Sequence, residues 1–213
     1  MTAFDHVILA AGPEGLDATA ARVAAALGAT ARPGGVHTTF GTRNAIVPLG
    51  AGYLEVVAVE DADVAAGHPF GAAVARRCAA GGGWVGWAVA VDDVAPVCAR
   101  LGTTPVPGGR VRPDGVRLAW EQAGVEALAD RPWLPFFLHW DVPADLHPAA
   151  GGPAGVTVTG VDLAVPAGLA DADADLRTWL GAAPPVPVAW ATGIPGPAAV
   201  TFTTLRGEVV LHR

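Results

Sequence analysis

One pattern of apolar and polar positions runs through this chain three times. Each instance opens on a strand-like apolar run, over 4–10, 84–91 and 156–165. An amphipathic helix follows. In the first helix Leu16, Ala20, Val23, Ala24 and Leu27 fall at i, i+4, i+7, i+8 and i+11, which is one face of a 3.6-residue period. In the second, Val94, Val97, Cys98 and Leu101 form the stripe, and Asp92 or Asp93 caps the start. In the third, Leu176, Trp179 and Leu180 face inward, while Asp171, Asp173 and Asp175 complement the positive end of the helix dipole. Every helix closes on Leu-Gly, at Gly28, Gly102 and Gly181, spaced 74 and then 79 residues. Glycine there takes the left-handed conformation that ends a helix, and the near-constant period marks a repeat.

Further strands follow each helix. Residues 43–49 and 53–59 form a hairpin around 50–52; 116–121 and 135–140 come next; 186–191, 198–205 and 208–212 complete the third set. The fold class is therefore α+β, with tandem βαβββ modules. The first spans 1–61, a linking helix (70–80) and Gly-rich loop span 62–83, the second module spans 84–142, and a third βαβββ-like unit spans 143–213 after a Pro/Gly-rich link. A sheet with one helix has one covered face and one open face, so two units pair around a shared pocket. The third then covers another edge or meets a second chain, which predicts a homodimer.

Composition removes several chemistries. The 213 residues are 52% hydrophobic and 15% charged, with a net charge of −7 and no basic cluster, so a nucleic-acid partner is not expected. All thirteen cations are Arg; Lys and Ser are absent. That excludes a Ser-His-Asp hydrolase, a Lys Schiff base and a Walker-type phosphate loop. Gly81 to Gly86 spells Gly-x-Gly-x-x-Gly, but it precedes a strand instead of opening a helix, so no dinucleotide site follows. Cys78 and Cys98 form no Cys-x-x-Cys pair and read as small apolar residues in a reducing compartment. No cation precedes Arg22 and no apolar run spans a bilayer, so the expected location is the cytoplasm, with no membrane partner.

Strand parity collects the candidate site. Phe4, His6 and Ile8 share one face, as do Tyr53, Glu55 and Val57, and Phe137 with His139. Convergent polar groups between apolar walls describe a small-molecule pocket. The densest polar stretch holds His37, Thr38, Thr39, Thr42, Arg43 and Asn44 among Gly34, Gly35 and Gly41. It reads either as a loop closing the pocket, with Arg43 or Asn44 holding an anionic or carbonyl oxygen, or as a self-satisfied hairpin turn. His68, His147 and His212 read as surface or capping residues.

The run from Asp5 to Ala10, then Gly34-Gly35-Val36-His37, Gly41-Thr42-Arg43-Asn44, Leu49-Gly50 and Tyr53-Leu54-Glu55, resembles the glyoxalase-like domain family. So do Arg112-Pro113-Asp114-Gly115 with Leu118 and Trp120, the segment from Pro135 to Trp140, and His147-Pro148. That family belongs to the vicinal-oxygen-chelate superfamily, whose members include lyases, isomerases, epimerases, dioxygenases and metal-free binding proteins. The resemblance implies two readings. In one, the protein is a lyase, isomerase or dioxygenase acting on a small oxygenated substrate. Glu55, His6 and His37 are then the catalytic residues, and Thr42, Arg43, Asn44, Trp87, Trp120 and Phe137 contact the substrate. His6, Glu55 and His139 would hold a divalent zinc or iron, although Trp87 stands where a fourth ligand belongs. In the other reading the protein sequesters a compound without metal, stacking it on Trp87, Trp120, Phe137 and Trp140.

Overall fold

The computed structural model describes residues 2–213. The first unit comprises β1 (Thr2–Ala10), α1 (Leu16–Leu27), β2 (Arg32–His37), β3 (Thr42–Pro48) and β4 (Tyr53–Val59). Two linking helices, α2 (Ala62–Ala66) and α3 (Pro69–Ala79), lead to the second unit. It contains β5 (Gly83–Val91), α4 (Ala95–Leu101), β6 (Val106–Val111), β7 (Arg117–Ala123), the short α5 (Ala127–Asp130) and β8 (Phe136–Trp140). In each unit the first strand runs parallel to the last, giving the orders β1-β4-β3-β2 and β5-β8-β7-β6. Antiparallel pairing of β1 with β5 and of β2 with β6 closes the eight strands into a barrel. Helices α1 and α4 end on Gly28 and Gly102, both left-handed, as the Leu-Gly period predicts.

Strands β2 and β6 form where the sequence reading placed no strand. Pro33-Gly34-Gly35 and Pro107-Gly108-Gly109 have little intrinsic strand preference. Their extended state is imposed at the seam, where the two halves meet closely. A Cβ on Gly35, whose φ is 141°, would overlap the carbonyl of Val111, and one on Gly108 would overlap the Trp120 indole.

The third unit has the expected element order but a different strand order. It consists of β9 (Thr157–Val165), α6 (Ala172–Leu180), β10 (Val188–Thr192), β11 (Gly196–Thr204) and β12 (Gly207–His212). Its sheet runs β10-β9-β11-β12, with β10 parallel to β9, and α6 ends on left-handed Gly181. This sheet does not join the barrel; it covers its outside. Trp179 Nε1 donates to the Pro135 carbonyl at 2.7 Å, Arg100 donates to the Trp179 carbonyl at 3.2 Å, and Trp84 Nε1 donates to the Leu211 carbonyl at 3.1 Å. Val161, Leu163, Leu176 and Phe202 share one apolar cluster with Trp87, Val89 and Phe137. The surface that suggested a second chain is therefore buried by the chain itself.

A separate apolar cluster fills the barrel. Ile8, Val57, Val85, Leu128 and Phe136 come from the strands and α5, and Phe70 and Val74 come from α3, which plugs one end. His68 caps α3, its Nδ1 accepting from the Phe70 amide at 3.2 Å, and its ring stacks on Phe40. Among the described residues no helix is long and apolar enough to cross a membrane.

Candidate functional site

Polar groups gather at one place in the mostly apolar barrel interior. There His6, His37, Tyr53, Glu55, Arg110 and Gln122 face a cavity walled by Phe40, Phe70, Trp120, Phe136, Leu138 and Trp140. Parity of the pleat puts them there: His6 precedes Ile8 on the inner face of β1, and Trp120 and Gln122 alternate on β7. The cavity measures about 30 Å³, room for about two waters.

Glu55 is the centre of the polar cluster and is 5% exposed. Asn44 Nδ2 donates to its Oε1 at 2.5 Å, and His6 Nε2 lies 3.6 Å from Oε2. His37 Nε2 is 3.9 Å from Oε1. Burial, with Arg110 and His6 nearby, pulls the His37 ring down to about 3, so it is neutral at physiological pH. A neutral ring fits its bonds: Nδ1–H donates to Thr42 Oγ1 at 2.9 Å, and Nε2 accepts from Asn44 at 3.4 Å. Thr42 and His37 together hold the Asn44 amide on the carboxylate.

Behind His6 lies a second buried carboxylate, Asp5. His6 Nδ1 donates to Asp5 Oδ1 at 2.6 Å, which turns Nε2 toward Glu55. Trp140 Nε1 and His147 Nε2 reach Asp5 Oδ2 at 3.0 and 3.3 Å, and Tyr53 stacks on His6 with ring centres 4.4 Å apart. Burial alone would raise the Asp5 carboxyl, but the bonds from His147 and His6 outweigh it and hold the group well below the usual carboxylate range. Tyr53 is pushed up by burial and by the Asp5 and Glu55 charges, so it stays a phenol.

At this site two donors lack partners among the described residues. Arg110 Nε and Gln122 Nε2 are buried with no hydrogen bond, as is the Asn44 Oδ1 acceptor. Unpaired buried donors are costly, and here they line the cavity that Glu55 faces. Gly34 makes room for them: a Cβ there would overlap Asn44 Oδ1 and stand 3.1 Å from an Arg110 nitrogen.

The candidate residues separate into two groups. His6, Glu55, His37 and Trp120 line the cavity, and Asn44 and Thr42 brace it from beneath. Arg43 does not: it is exposed and pairs with Glu60 at 3.1 Å. Trp87 and Phe137 are on the outer face, where Trp87 Nε1 donates to the Trp133 carbonyl at 2.9 Å and Phe137 packs near Trp179. His139 points outward too, its Nδ1 reaching the Val91 carbonyl at 3.3 Å. The reason is register. His6 pairs with Tyr53 and Ile8 with Glu55, just as Ala88 pairs with Phe136 and Ala90 with Leu138. The second-half counterparts of His6 and Glu55 are thus Ala88 and Leu138, one residue away from Trp87 and His139, and a one-residue slip reverses the face. Asp5, Arg110, Gln122 and the site role of His147 escaped the sequence reading; only Gln122, two residues beyond Trp120, carried a parity signal.

These residues do not fit a divalent metal. The second half contributes Ala88 and Leu138, the His37 Nε2 lone pair is taken by Asn44, and the Arg110 guanidinium shares the cavity. Among the described residues, no three His, Cys, Asp or Glu form a metal-holding group. The zinc or iron set of His6, Glu55 and His139 is not assembled.

Two βαβββ halves closed around one inward-facing polar cluster define a protein of the vicinal-oxygen-chelate class. A profile described as "Glyoxalase-like domain" matches residues 4–180, and the chain belongs to that family. A hypothetical protein from Staphylococcus aureus shares the fold over 99% of this chain and 84% of its own, with a TM-score of 0.66 and 14% identity. Methylmalonyl-CoA epimerase of Streptomyces coelicolor, solved with 2-nitronate-propionyl-CoA, aligns over 67% of this chain and 99% of its own, at TM-score 0.46 and 21% identity. The Mycobacterium tuberculosis methylmalonyl-CoA epimerase aligns over 68% and 90%, at TM-score 0.42 and 19% identity. No curated protein matches the sequence.

Proposed function

We propose that this protein is an isomerase- or lyase-type enzyme that moves a proton on a small oxygenated substrate, with Glu55 as the base and no metal. The observation that carries the reading is the placement of the Glu55 carboxylate and the unpartnered Arg110 Nε and Gln122 Nε2 around one cavity. Glu55 takes a proton from a carbon next to a carbonyl or carboxyl group, and the electron pair moves onto the oxygen. Arg110 and Gln122 donate to that oxygen as its charge grows, in a site with little water to compete. The proton then returns to carbon in an isomerase, or a β-leaving group departs in a lyase. His6, braced by Asp5, positions the carboxylate beside it.

Deuterium exchange at carbon tests this. Candidate 2-oxo and 2-hydroxy acids are incubated in D2O with the protein, and loss of the C–H signal is followed by NMR. Exchange should appear with at least one compound, survive a chelator, and fall by at least about 100-fold in Glu55→Gln. Exchange unchanged in Glu55→Gln would end the proposal. A second reading is favoured by Trp120 and Trp140, whose ring centres stand 5.1 Å apart at the cavity wall. Aromatic compounds that bind without exchange would make the protein a metal-free binding protein instead.

A further inference from the structure

A second cavity lies beside the first and is lined by three guanidinium groups. Arg32 on β2, Arg110 on β6 and Arg112 just beyond β6 surround it, with Gly34, Ile46 and Leu118 as floor and Leu146 and Pro148 of the link as cover. No Asp or Glu lines it. In a chain of net charge −7, the three arginines make a locally positive site. Arg32 donates to a neutral acceptor, the Pro148 carbonyl, at 2.8 Å. Arg112 has the only carboxylate partner of the three, Asp114 of its own turn at 2.6 Å. Arg110 Nε is buried and unpartnered. Arg110 holds its proton less firmly than an ordinary arginine: burial is the main cause, Tyr53 and Glu55 on the side of the first cavity oppose it, and Arg32 and Arg112 add to it. Burial and Arg112 weaken Arg32 likewise. An anion would relieve this repulsion and accept from the guanidinium N–H groups that face it, the Arg110 Nε–H remaining for the Glu55 cavity.

The two cavities share a wall. Arg110 lines both, and on β7 the inward positions run from Leu118 in the arginine cavity to Trp120 and Gln122 in the Glu55 cavity. Four residues of strand separate the extremes, roughly 13 Å. That span is within the reach of one ligand of modest length.

We propose that the Arg32–Arg110–Arg112 cavity receives the anionic group, a carboxylate or phosphate, of the substrate whose reactive carbon lies beside Glu55. The identity of the bound molecule as substrate rests on the reading of Glu55 as base; the anion itself rests on the three arginines. The test is calorimetric titration with inorganic phosphate and with succinate, at ionic strength matched with chloride. Wild type should bind at least one of them saturably, and whichever binds more tightly identifies the anionic group. Glu55→Gln should keep saturable binding and not weaken it, because it removes a negative charge beside Arg110, whereas Arg32→Gln and Arg112→Gln, both at the accessible rim, should each weaken binding about tenfold. Absence of saturable binding below about 10 mM, or wild-type affinity in either arginine variant, overturns the proposal. Because Glu55→Gln is read by exchange and the arginine variants by anion titration, failure of one reading leaves the other standing.

Discussion

At the scale of the residue, burial decides chemistry. His37 is 3% exposed and its ring falls from an ordinary 6.5 to about 3. Between those values the unfolded chain carries a proton that the folded chain lacks, so stability falls as pH drops through that window. Asp5 acts in the same direction further into acid: its folded carboxyl is depressed, so its contribution is present above 3.8 and is lost as pH falls through the folded value. Urea denaturation should show a loss of about 2 kcal/mol from His37 between pH 7 and pH 5. That portion should vanish in His37→Gln, while a wild-type slope in this variant would place the titration elsewhere. His6 and Glu55 were legible in the sequence because a polar side chain is conspicuous in an apolar alternating strand. Arg110 was not, because the Pro-Gly-Gly sequence before it concealed the strand that aims it.

At the scale of the element, the same residue type does different work on the two faces of one sheet. Trp87 and Trp120 are both buried tryptophans. Trp87 belongs to the outer cluster shared with the third unit, and Trp120 belongs to the inner cluster and the cavity wall. Trp87→Ala should destabilise the fold by about 3–5 kcal/mol in thermal or urea denaturation and leave the ligand affinity of the folded fraction intact. Trp120→Phe should instead keep most of the stability and change ligand affinity; the reverse pattern would contradict the assignment of faces. The Leu-Gly helix ends were fully legible, because a left-handed cap is a local requirement. Gly102 isolates that requirement: its φ is 69° and a Cβ there meets nothing within 4 Å. Gly102→Ala should therefore cost only the conformational penalty, about 1 kcal/mol.

At the scale of the whole molecule, the third unit completes the barrel's exterior. Its cluster with Trp87, Val89 and Phe137 covers strands that would otherwise expose a broad apolar surface. Removing residues 157–213 should leave a protein that associates on size-exclusion chromatography and loses its cooperative melt. A monomeric, cooperatively melting barrel would show that the cover is dispensable. What the sequence determined by itself was local or compositional: the three-fold period, the helix stripes and their glycine ends, and the chemistries that lack of Lys and Ser forbids. What only the tertiary structure decided was which face of each strand looks inward. Strands β5 and β8 are covered on both sides, inside by the barrel core and outside by the C-terminal sheet, so alternation of apolar and polar residues, the sequence's one marker of direction, is erased. Trp87 and His139 were thereby placed one position from the inward-facing Ala88 and Leu138. The convergence of Arg32, Arg110 and Arg112 depends on the β2–β6 seam, a contact between strands far apart in the chain that no local pattern encodes.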